Sequence, residues 1–214
     1  MTMTGKVWLV GAGPGDPGLI TVKGLHCIRN ADVLVYDRLV CRELLAEVPA
    51  GCERINVGKT PNNHPIPQEE INQILVTHAQ RGRNVVRLKG GDPYVFGRGG
   101  EEVETLARAG VEFEVIPGIS SSIGGLAYAG IPVTHRDHAS SFHVVTGHLQ
   151  QGKEPQDWEH LARLQGTLVI LMGMSQLEHI CGELMRHGRR SDTPAAAVMY
   201  ASHRVQRIAA ATLA

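Results

Sequence analysis

The sequence contains few aromatic residues and no excess of charge of either sign. Aromatic residues make up 4% of its 214 residues, which argues against a ligand held by ring stacking alone. Lysine plus arginine and aspartate plus glutamate number 21 each, so the formal net charge is zero. A balanced charge provides no general attraction for nucleic acid or a membrane surface. Binding of an anionic ligand must therefore depend on a local group of cations.

Cysteine is also scarce, and no two cysteines form a Cys-x-x-Cys pair. The four are Cys27, Cys41, Cys52 and Cys181. This spacing predicts neither a zinc knuckle nor a disulfide framework, and it indicates a reducing setting. No apolar run approaches the roughly 20 residues of a membrane span, and the first residues lack the apolar segment of a signal peptide. We therefore expect a cytoplasmic protein.

The first 130 residues alternate strand and helix signals. Short apolar runs typical of strands buried in a parallel sheet occur near 7–10, 33–36, 54–57, 85–88 and 113–116. Helix signals lie between them. This order predicts right-handed βαβ units and an N-terminal α/β domain, 1–130, with a mostly parallel sheet.

After residue 130 the pattern changes. A polar, proline-containing segment at 131–139 is interpreted as a linker, and 140–214 as a C-terminal α/β domain with a mixed sheet. Its strand signals lie near 142–146, 167–172, 196–201 and 205–213, the last two joined by a turn at 202–204, and its helix signals near 158–164 and 176–187. Because the sequence ends in a strand-like run, which would form an exposed sheet edge, we expect this domain to lack its last strand.

The most informative stretch is 85–102, VVRLKGGDPYVFGRGGEE. A strand signal leads directly into Gly90 and Gly91, then Asp92, a second glycine-rich turn and the acidic start of a helix. Paired glycines allow a ligand to approach the backbone closely and allow positive φ. Asp92 adds a carboxylate at the end of a strand, where ligands of α/β proteins usually bind. The stretch predicts a ligand-binding loop.

Cationic side chains recur near the predicted strand ends. Single arginines and lysines usually belong to a solvated surface, but their repetition beside glycine turns favours a polyanionic substrate held by charge-assisted hydrogen bonds. These residues are Arg38, Lys59, Arg87, Lys89, Arg98 and Arg136.

Two other kinds of site receive less support. The run GAGPGD at 11–16 resembles a dinucleotide-binding turn, with Asp37 placed to bind a ribose, but Asp16 replaces the third glycine and puts a negative charge where a pyrophosphate would lie. His135 and His138, with Asp137 between them, have the residue types of a metal site, but no second cluster accompanies them. We expect no metal.

The motifs, taken together and in order, resemble the tetrapyrrole methylases over nearly the whole chain. They are GAGPGD at 11–16, VYDRLV at 35–40, VGK at 57–59, PQEEIN at 67–72 and VRLKGGDP at 86–93. Within the family, a second set is similar to the branch that C-methylates uroporphyrinogen III. That set is FGRGGEE at 96–102, PGISS at 117–121, THRD at 134–137, VTGH at 145–148 and MG at 172–173.

The resemblance implies a homodimer of two-domain α/β subunits that binds S-adenosylmethionine, folded, in the cleft between the domains. It implies two successive methyl transfers to uroporphyrinogen III, at C2 and C7, giving precorrin-2 and S-adenosylhomocysteine. Whether precorrin-2 then supplies sirohaem, cobalamin or haem d1 is left open. The alternatives are a sister methylase acting on a later corrinoid precursor, an NAD-dependent oxidoreductase, and a non-catalytic S-adenosylmethionine-binding module.

The resemblance also assigns roles to individual positions. Cofactor contacts are expected at Pro14, Gly90, Gly91, Asp92, Val95, Ser120, Ser121, Met172 and Ala201. Substrate contacts are expected at Arg38, Arg98, Arg136 and Met172. For catalysis we expect Asp37 to act as base or as acceptor of a pyrrole N–H, with Lys59 as its partner. Arg98 and Glu101 are the rival pair.

Overall fold

The computed structural model describes residues 4–58, 66–147 and 157–214, and the chain divides into two units. Unit 1 is Met1–Ser120 and unit 2 is Ser121–Ala214. Each unit has its own apolar core. In the described ranges, no helix has both the length and the apolar character needed to cross a membrane.

Unit 1 contains a five-stranded sheet in which every pairing is parallel. The strands are β1 (Lys6–Gly11), β2 (Val33–Tyr36), β3 (Glu53–Asn56), β4 (Val85–Lys89) and β5 (Glu112–Ile116). Their order across the sheet is β3-β2-β4-β1-β5. All five predicted strands form, which confirms the parallel sheet. Every residue of the central strand β4 is buried, including the charged Arg87 and Lys89.

Helices cover both faces of this sheet. They are α1 (Val22–Arg29), α2 (Arg42–Leu45), α3 (Gln68–Gln80) and α4 (Gly99–Arg108). Helix α1 begins where the Thr21 side chain accepts a hydrogen bond from the Gly24 N–H at 3.0 Å, and α3 follows Pro67 with two acidic residues in its first turn. One core layer includes Leu75 and Leu106 from α3 and α4. The four-residue α2 was not predicted, because it is too short to show helical periodicity.

Unit 2 contains strands of both directions, in two separate sheets of its described part. Its elements are α5 (Ser121–Tyr128), β6 (Phe142–Thr146), α6 (Trp158–Arg163), β7 (Thr167–Leu171), α7 (Leu177–Arg186), β8 (Pro194–Met199) and β9 (Arg207–Thr212). Strands β6 and β7 pair in parallel, and β8 and β9 form an antiparallel hairpin. The predicted hairpin is therefore present, and the expected mixed sheet is divided into a parallel pair and an antiparallel pair.

The division between the units lies ten residues before the one expected from the sequence. Helix α5 belongs to unit 2, because it contacts β7 and because its Gly125 packs closely against Ala201. The segment 131–139 also lies within unit 2, where the His135 N–H donates to the Ala139 carbonyl at 2.9 Å. The segment predicted as a linker is thus included in unit 2.

Candidate active site at the carboxyl edge of the parallel sheet

Loops that carry many of the predicted site residues meet at one edge of unit 1. Because the five strands are parallel, the loops that follow them all leave from the same edge of the sheet. In open α/β sheets this edge is where ligands bind. It brings Pro14, Asp37, the 90–92 turn and Ser120 to one side of the unit.

The loops after β1 and β4 are joined by their backbones. The Gly13 N–H donates to the Gly91 carbonyl at 3.2 Å, and the Gly91 N–H donates to the Gly13 carbonyl at 2.7 Å. Both residues have left-handed φ values, +79° at Gly13 and +66° at Gly91, which glycine adopts without strain. The prediction of positive φ in the 90–91 pair is thus confirmed for Gly91. Pro14 follows directly and is half-buried.

At positions 90 and 118, neighbouring protein atoms leave no room for a Cβ, so only glycine fits. A Cβ added to Gly118 would lie 2.2 Å from the Gly91 oxygen, and one added to Gly90 would lie 2.7 Å from the Leu39 Cβ. The packing of Leu39 is thus by itself a sufficient reason for glycine at position 90. These contacts pack the loops after β2, β4 and β5 tightly together.

Asp92 ties the same loops together through its carboxylate. Its Oδ2 accepts the Gly118 N–H at 3.0 Å and its Oδ1 accepts the Tyr94 N–H at 2.8 Å. Each oxygen retains further acceptor capacity. After Asp92, three large apolar side chains are exposed, namely Tyr94, Val95 and Phe96. The loop thus combines a fixed carboxylate with exposed apolar surface.

Asp37 follows β2 directly and is partly accessible, with 26% of its side chain exposed. Its Oδ1 accepts the Leu39 N–H at 3.0 Å, and its Oδ2 lies 3.8 Å from Arg87 Nη2. Arg38 is exposed beside it. The carboxylate is therefore held from inside the unit while one side of it faces outward. Lys59, its predicted partner, lies outside the described residues.

Arg87 and Lys89 are buried, and this overturns their interpretation as substrate-binding cations. Both contact Glu102 of α4, which is fully buried: Arg87 Nε and Lys89 Nζ donate to its Oε1 at 3.0 and 2.9 Å. Burial, followed by the charge of Arg87, lowers the pKa of Lys89 from its ordinary value. The two cations therefore neutralise an internal carboxylate instead of facing a ligand.

Arg98 and Glu101 form an exposed bidentate ion pair. Arg98 Nε and Nη2 donate to Glu101 Oε1 and Oε2 at 2.8 and 2.6 Å. The hydrogen bond from Arg98 lowers the pKa of Glu101, and the same bond raises the pKa of Arg98. The structure thus brings the rival pair together, with 57% and 54% of the two side chains exposed.

The remaining predicted residues belong to unit 2. Ser121 begins α5, Met172 follows β7, and Ala201 follows β8. Met172 is 54% exposed, and Arg136 is exposed in the turn closed by the His135–Ala139 bridge. The His135 and His138 rings stack with centroids 4.7 Å apart. Within the described ranges, no three histidine, cysteine or acidic side chains form a group that could hold a metal ion.

Among the described residues, five non-glycine residues with positive φ mark these same places. Phe96 and Arg98 lie in the loop after β4, Met172 follows β7, and Tyr200 and Ser202 flank Ala201; the list is Phe96 (51°), Arg98 (57°), Met172 (59°), Tyr200 (51°) and Ser202 (64°). Such conformations cost about 1–3 kcal/mol each and cluster at functional sites. Sequence reasoning did not find this signal, because none of these residues is glycine.

Comparison with known proteins gives consistent matches. The family model described as "Tetrapyrrole (Corrin/Porphyrin) Methylases" matches residues 6–214. A "Siroheme synthase" of Chromobacterium violaceum is 52% identical over 210 residues, covering 98% of this chain and 45% of that protein. The chain thus spans about half the length of that relative.

Two further matches cover most of both chains. The "S-adenosyl-L-methionine-dependent uroporphyrinogen III methyltransferase" of Methanosarcina barkeri is 52% identical over 212 residues, covering 98% of this chain and 83% of that protein. The structure of Thermus thermophilus uroporphyrin-III C-methyltransferase with S-adenosyl homocysteine is 44% identical, with a TM-score of 0.83, covering 98% of this chain and 84% of that one.

Proposed function

Since the chain belongs to the tetrapyrrole (corrin/porphyrin) methylase family, we propose that it transfers methyl groups from S-adenosylmethionine to uroporphyrinogen III. The proposed reaction methylates C2 and C7 in succession and yields precorrin-2 and S-adenosylhomocysteine. The observation that carries the proposal is the Methanosarcina barkeri relative, whose name states this activity and whose length is largely covered. We extend the proposal to sirohaem formation, because relatives named for it match nearly the whole chain.

The loops at the carboxyl edge suit the cofactor chemically. In the described part of the chain, the nearest non-adjacent atom to a Cβ added at Gly91 would be the Ser120 Cα, at 3.9 Å, so this backbone borders open space. Asp92 supplies a carboxylate with acceptor capacity left, and Val95 supplies apolar surface. We assign these residues, with Pro14, Gly90, Ser121, Met172 and Ala201, to cofactor binding. When bound, S-adenosylmethionine supplies an electrophilic methyl group.

Exposed guanidinium groups suit the substrate, which carries several carboxylates. Arg38 and Arg136 are exposed, and Arg98 is more than half exposed although it is paired with Glu101. Arginine binds carboxylates with two parallel hydrogen bonds and stays charged. We therefore assign these three residues to substrate carboxylates, and Met172 to an apolar contact with the macrocycle. Holding the reacting carbon in line with the methyl group would supply much of the catalysis.

Asp37 is the better candidate for handling the proton. Methylation of a pyrrole carbon builds positive charge on the ring nitrogen, and a proton must then leave. Asp37 has one carboxylate face outward, whereas both oxygens of Glu101 are engaged by Arg98, which lowers the pKa of Glu101 and makes it a weaker base. We assign the proton acceptor to Asp37, with Lys59 as its partner by motif, and keep Arg98 and Glu101 as substrate-gripping residues.

The test is direct. The purified chain is incubated with S-adenosylmethionine and enzymatically generated uroporphyrinogen III, and dimethylated product and S-adenosylhomocysteine are measured by mass spectrometry. Two equivalents of S-adenosylhomocysteine per precorrin-2 are expected. Cofactor binding without any product would refute the proposal in favour of a non-catalytic module, and turnover of a later corrinoid precursor alone would favour a sister methylase.

We also propose a cytoplasmic homodimer. The four cysteines are free, which suits a reducing compartment. In unit 2, the end of α5 lies next to the β8–β9 turn, and Gln206 Nε2 of this turn donates to the Tyr128 carbonyl at 3.1 Å. Large apolar side chains are exposed at this place. They include Tyr128, Tyr200 and Val205, with 46%, 63% and 63% exposed. Sedimentation velocity should show a dimer that Val205→Asp weakens; a monomeric parent chain would refute the proposal.

A further inference from the structure

A fully buried carboxylate lies behind the candidate active site. Glu102 Oε1 accepts from Arg87 Nε at 3.0 Å, from Lys89 Nζ at 2.9 Å and from Gln68 Nε2 at 3.1 Å. Its Oε2 is buried and has no hydrogen-bond partner among the described residues. Only 4% of the Arg87 and Lys89 side chains is exposed. This cluster joins α4 to β4.

Stability does not explain why these charges are kept inside. Burying charges is costly, and replacing a buried ion pair with apolar side chains of similar size is often neutral or stabilising. The Oε2 atom is buried without a hydrogen-bond partner among the described residues, which adds to the cost. An arrangement of this kind is better explained by what it holds in place.

The guanidinium of Arg87 points from this cluster toward Asp37. Its Nε is held by Glu102, and its Nη1 donates to the Leu88 and Val35 carbonyls at 3.2 and 3.5 Å. Its Nη2 lies 3.8 Å from Asp37 Oδ2. The sheet register pairs Val35 with Arg87, so Asp37, two residues later, lies just beyond the end of this pairing. Arg87 thus reaches Asp37 from the protein interior.

We propose that Arg87 is a positioning residue for Asp37: Glu102 fixes the guanidinium, and the guanidinium holds Asp37 Oδ2 so that the carboxylate keeps one orientation toward the substrate. The inference rests on the proposed function insofar as Asp37 handles the proton. The Leu39 N–H on Oδ1 provides the second point of attachment. Arginine suits this position because it spans two carboxylates and stays charged when buried. The neighbouring Lys89 is less suited, since burial lowers its pKa.

The kinetic test is a double-mutant cycle on Arg87→Gln and Asp37→Asn. Loss of Arg87 leaves Glu102 paired with Lys89, so the buried carboxylate keeps a cationic partner. We expect Arg87→Gln to lower kcat by about 10- to 100-fold, the range known for groups that orient metal-binding side chains, with the Kd for S-adenosylmethionine nearly unchanged. In the Asp37→Asn background the same change should cost nothing further. If the fold-losses in kcat of the two single variants instead multiply in the double variant, the proposal is overturned.

A second readout does not need turnover. The amide resonance of Leu39 reports the Asp37 carboxylate, because the Leu39 N–H donates to Oδ1. Arg87→Gln should shift this resonance in the parent chain but not in the Asp37→Asn background. An unmoved resonance would overturn the positioning role. If the parent chain makes no methylated product, the proposed function fails separately, and the Leu39 resonance still decides this inference.

The matched control is Arg83→Gln. Arg83 precedes β4 at the opposite end of the same sheet, where it pairs with Glu53 and donates to the Asp32 carbonyl at 3.0 Å. This variant should change neither kcat nor the Leu39 resonance. If Arg87→Gln does not fold, Arg87→Lys replaces it in the test, because one ammonium group cannot contact both Glu102 Oε1 and Asp37 Oδ2. It should show the same pattern with a smaller loss, and full activity with an unmoved resonance would overturn the proposal.

Discussion

Replacing Glu102 with leucine should be strongly destabilising, although leucine is an apolar residue placed in a core. The change removes the carboxylate that Arg87 and Lys89 share and leaves two cations buried beside each other. Lys89 has no exposed route to water, since only 4% of its side chain is accessible. Lys89 can avoid carrying an unpaired buried charge by losing its proton, and its lowered pKa makes this loss easier. The decrease in unfolding free energy caused by Glu102→Leu should therefore be largest at neutral and acidic pH, where Lys89 is protonated in the unfolded chain.

The size of the effect follows from this burial. Because the Glu102 side chain is 0% exposed, solvent does not screen the lost pairing, and breaking such a buried pair costs about 3–5 kcal/mol. For a chain of this length each kcal/mol lowers the melting temperature by about 2–4 °C, so a decrease of about 6–20 °C is expected. The triple variant Glu102→Leu, Arg87→Met, Lys89→Met removes all three charges and should recover most of the loss.

The assay is urea unfolding followed by tryptophan fluorescence. Trp8 lies in β1 of unit 1 and Trp158 in α6 of unit 2, so a Trp158→Phe parent reports unit 1 alone. Glu104→Leu, on the exposed side of α4, is the control. Its partner is Arg108 at 3.0 Å, with 75% and 66% of the two side chains exposed, and it should cost less than about 1 kcal/mol. The reasoning is refuted if Glu102→Leu is as stable as Glu104→Leu, or if the triple variant is no more stable than Glu102→Leu alone.

Three further predictions concern the site. Asp37→Ala should lower kcat by about 10²- to 10⁴-fold while cofactor Kd stays nearly unchanged, as measured by turnover and calorimetry; equal loss of cofactor binding would contradict its role. Gly118→Ala should cost about 1–3 kcal/mol in urea unfolding, since its Cβ would lie 2.2 Å from a carbonyl oxygen, whereas Gly100→Ala, with no neighbour within 4 Å, should be neutral or stabilising. The free energy of unfolding should rise with pH between the lowered pKa of folded Lys89 and its ordinary value of 10.5, because in this range the unfolded chain binds one proton more than the folded chain. Lys89→Met should flatten this rise in urea unfolding measured at several pH values. An unchanged slope of unfolding free energy against pH would show that Lys89 is not its source.

Local signals in the sequence were enough to predict most of the strands and helices. The apolar run 33–36 forms β2 with the predicted bounds, and α1 begins directly after Thr21, a residue type that favours the N-cap position. Strand hydrophobicity and helix caps depend on neighbours in the chain, so a sequence displays them directly. The glycine-rich motifs also marked loops that lie at one edge of the sheet in unit 1, because residues after parallel strands must meet at one sheet edge.

Contacts between residues far apart in the sequence decided the rest. The sequence predicts Arg87 and Lys89 as ligand-binding cations, and only the packing of α4 against β4 shows that Glu102 neutralises them. Gly90 is small because Leu39, fifty-one positions earlier, lies against it. Helix α5 joins unit 2 because it contacts β7. Each of these outcomes depends on which elements become neighbours, and a sequence pattern describes one element at a time.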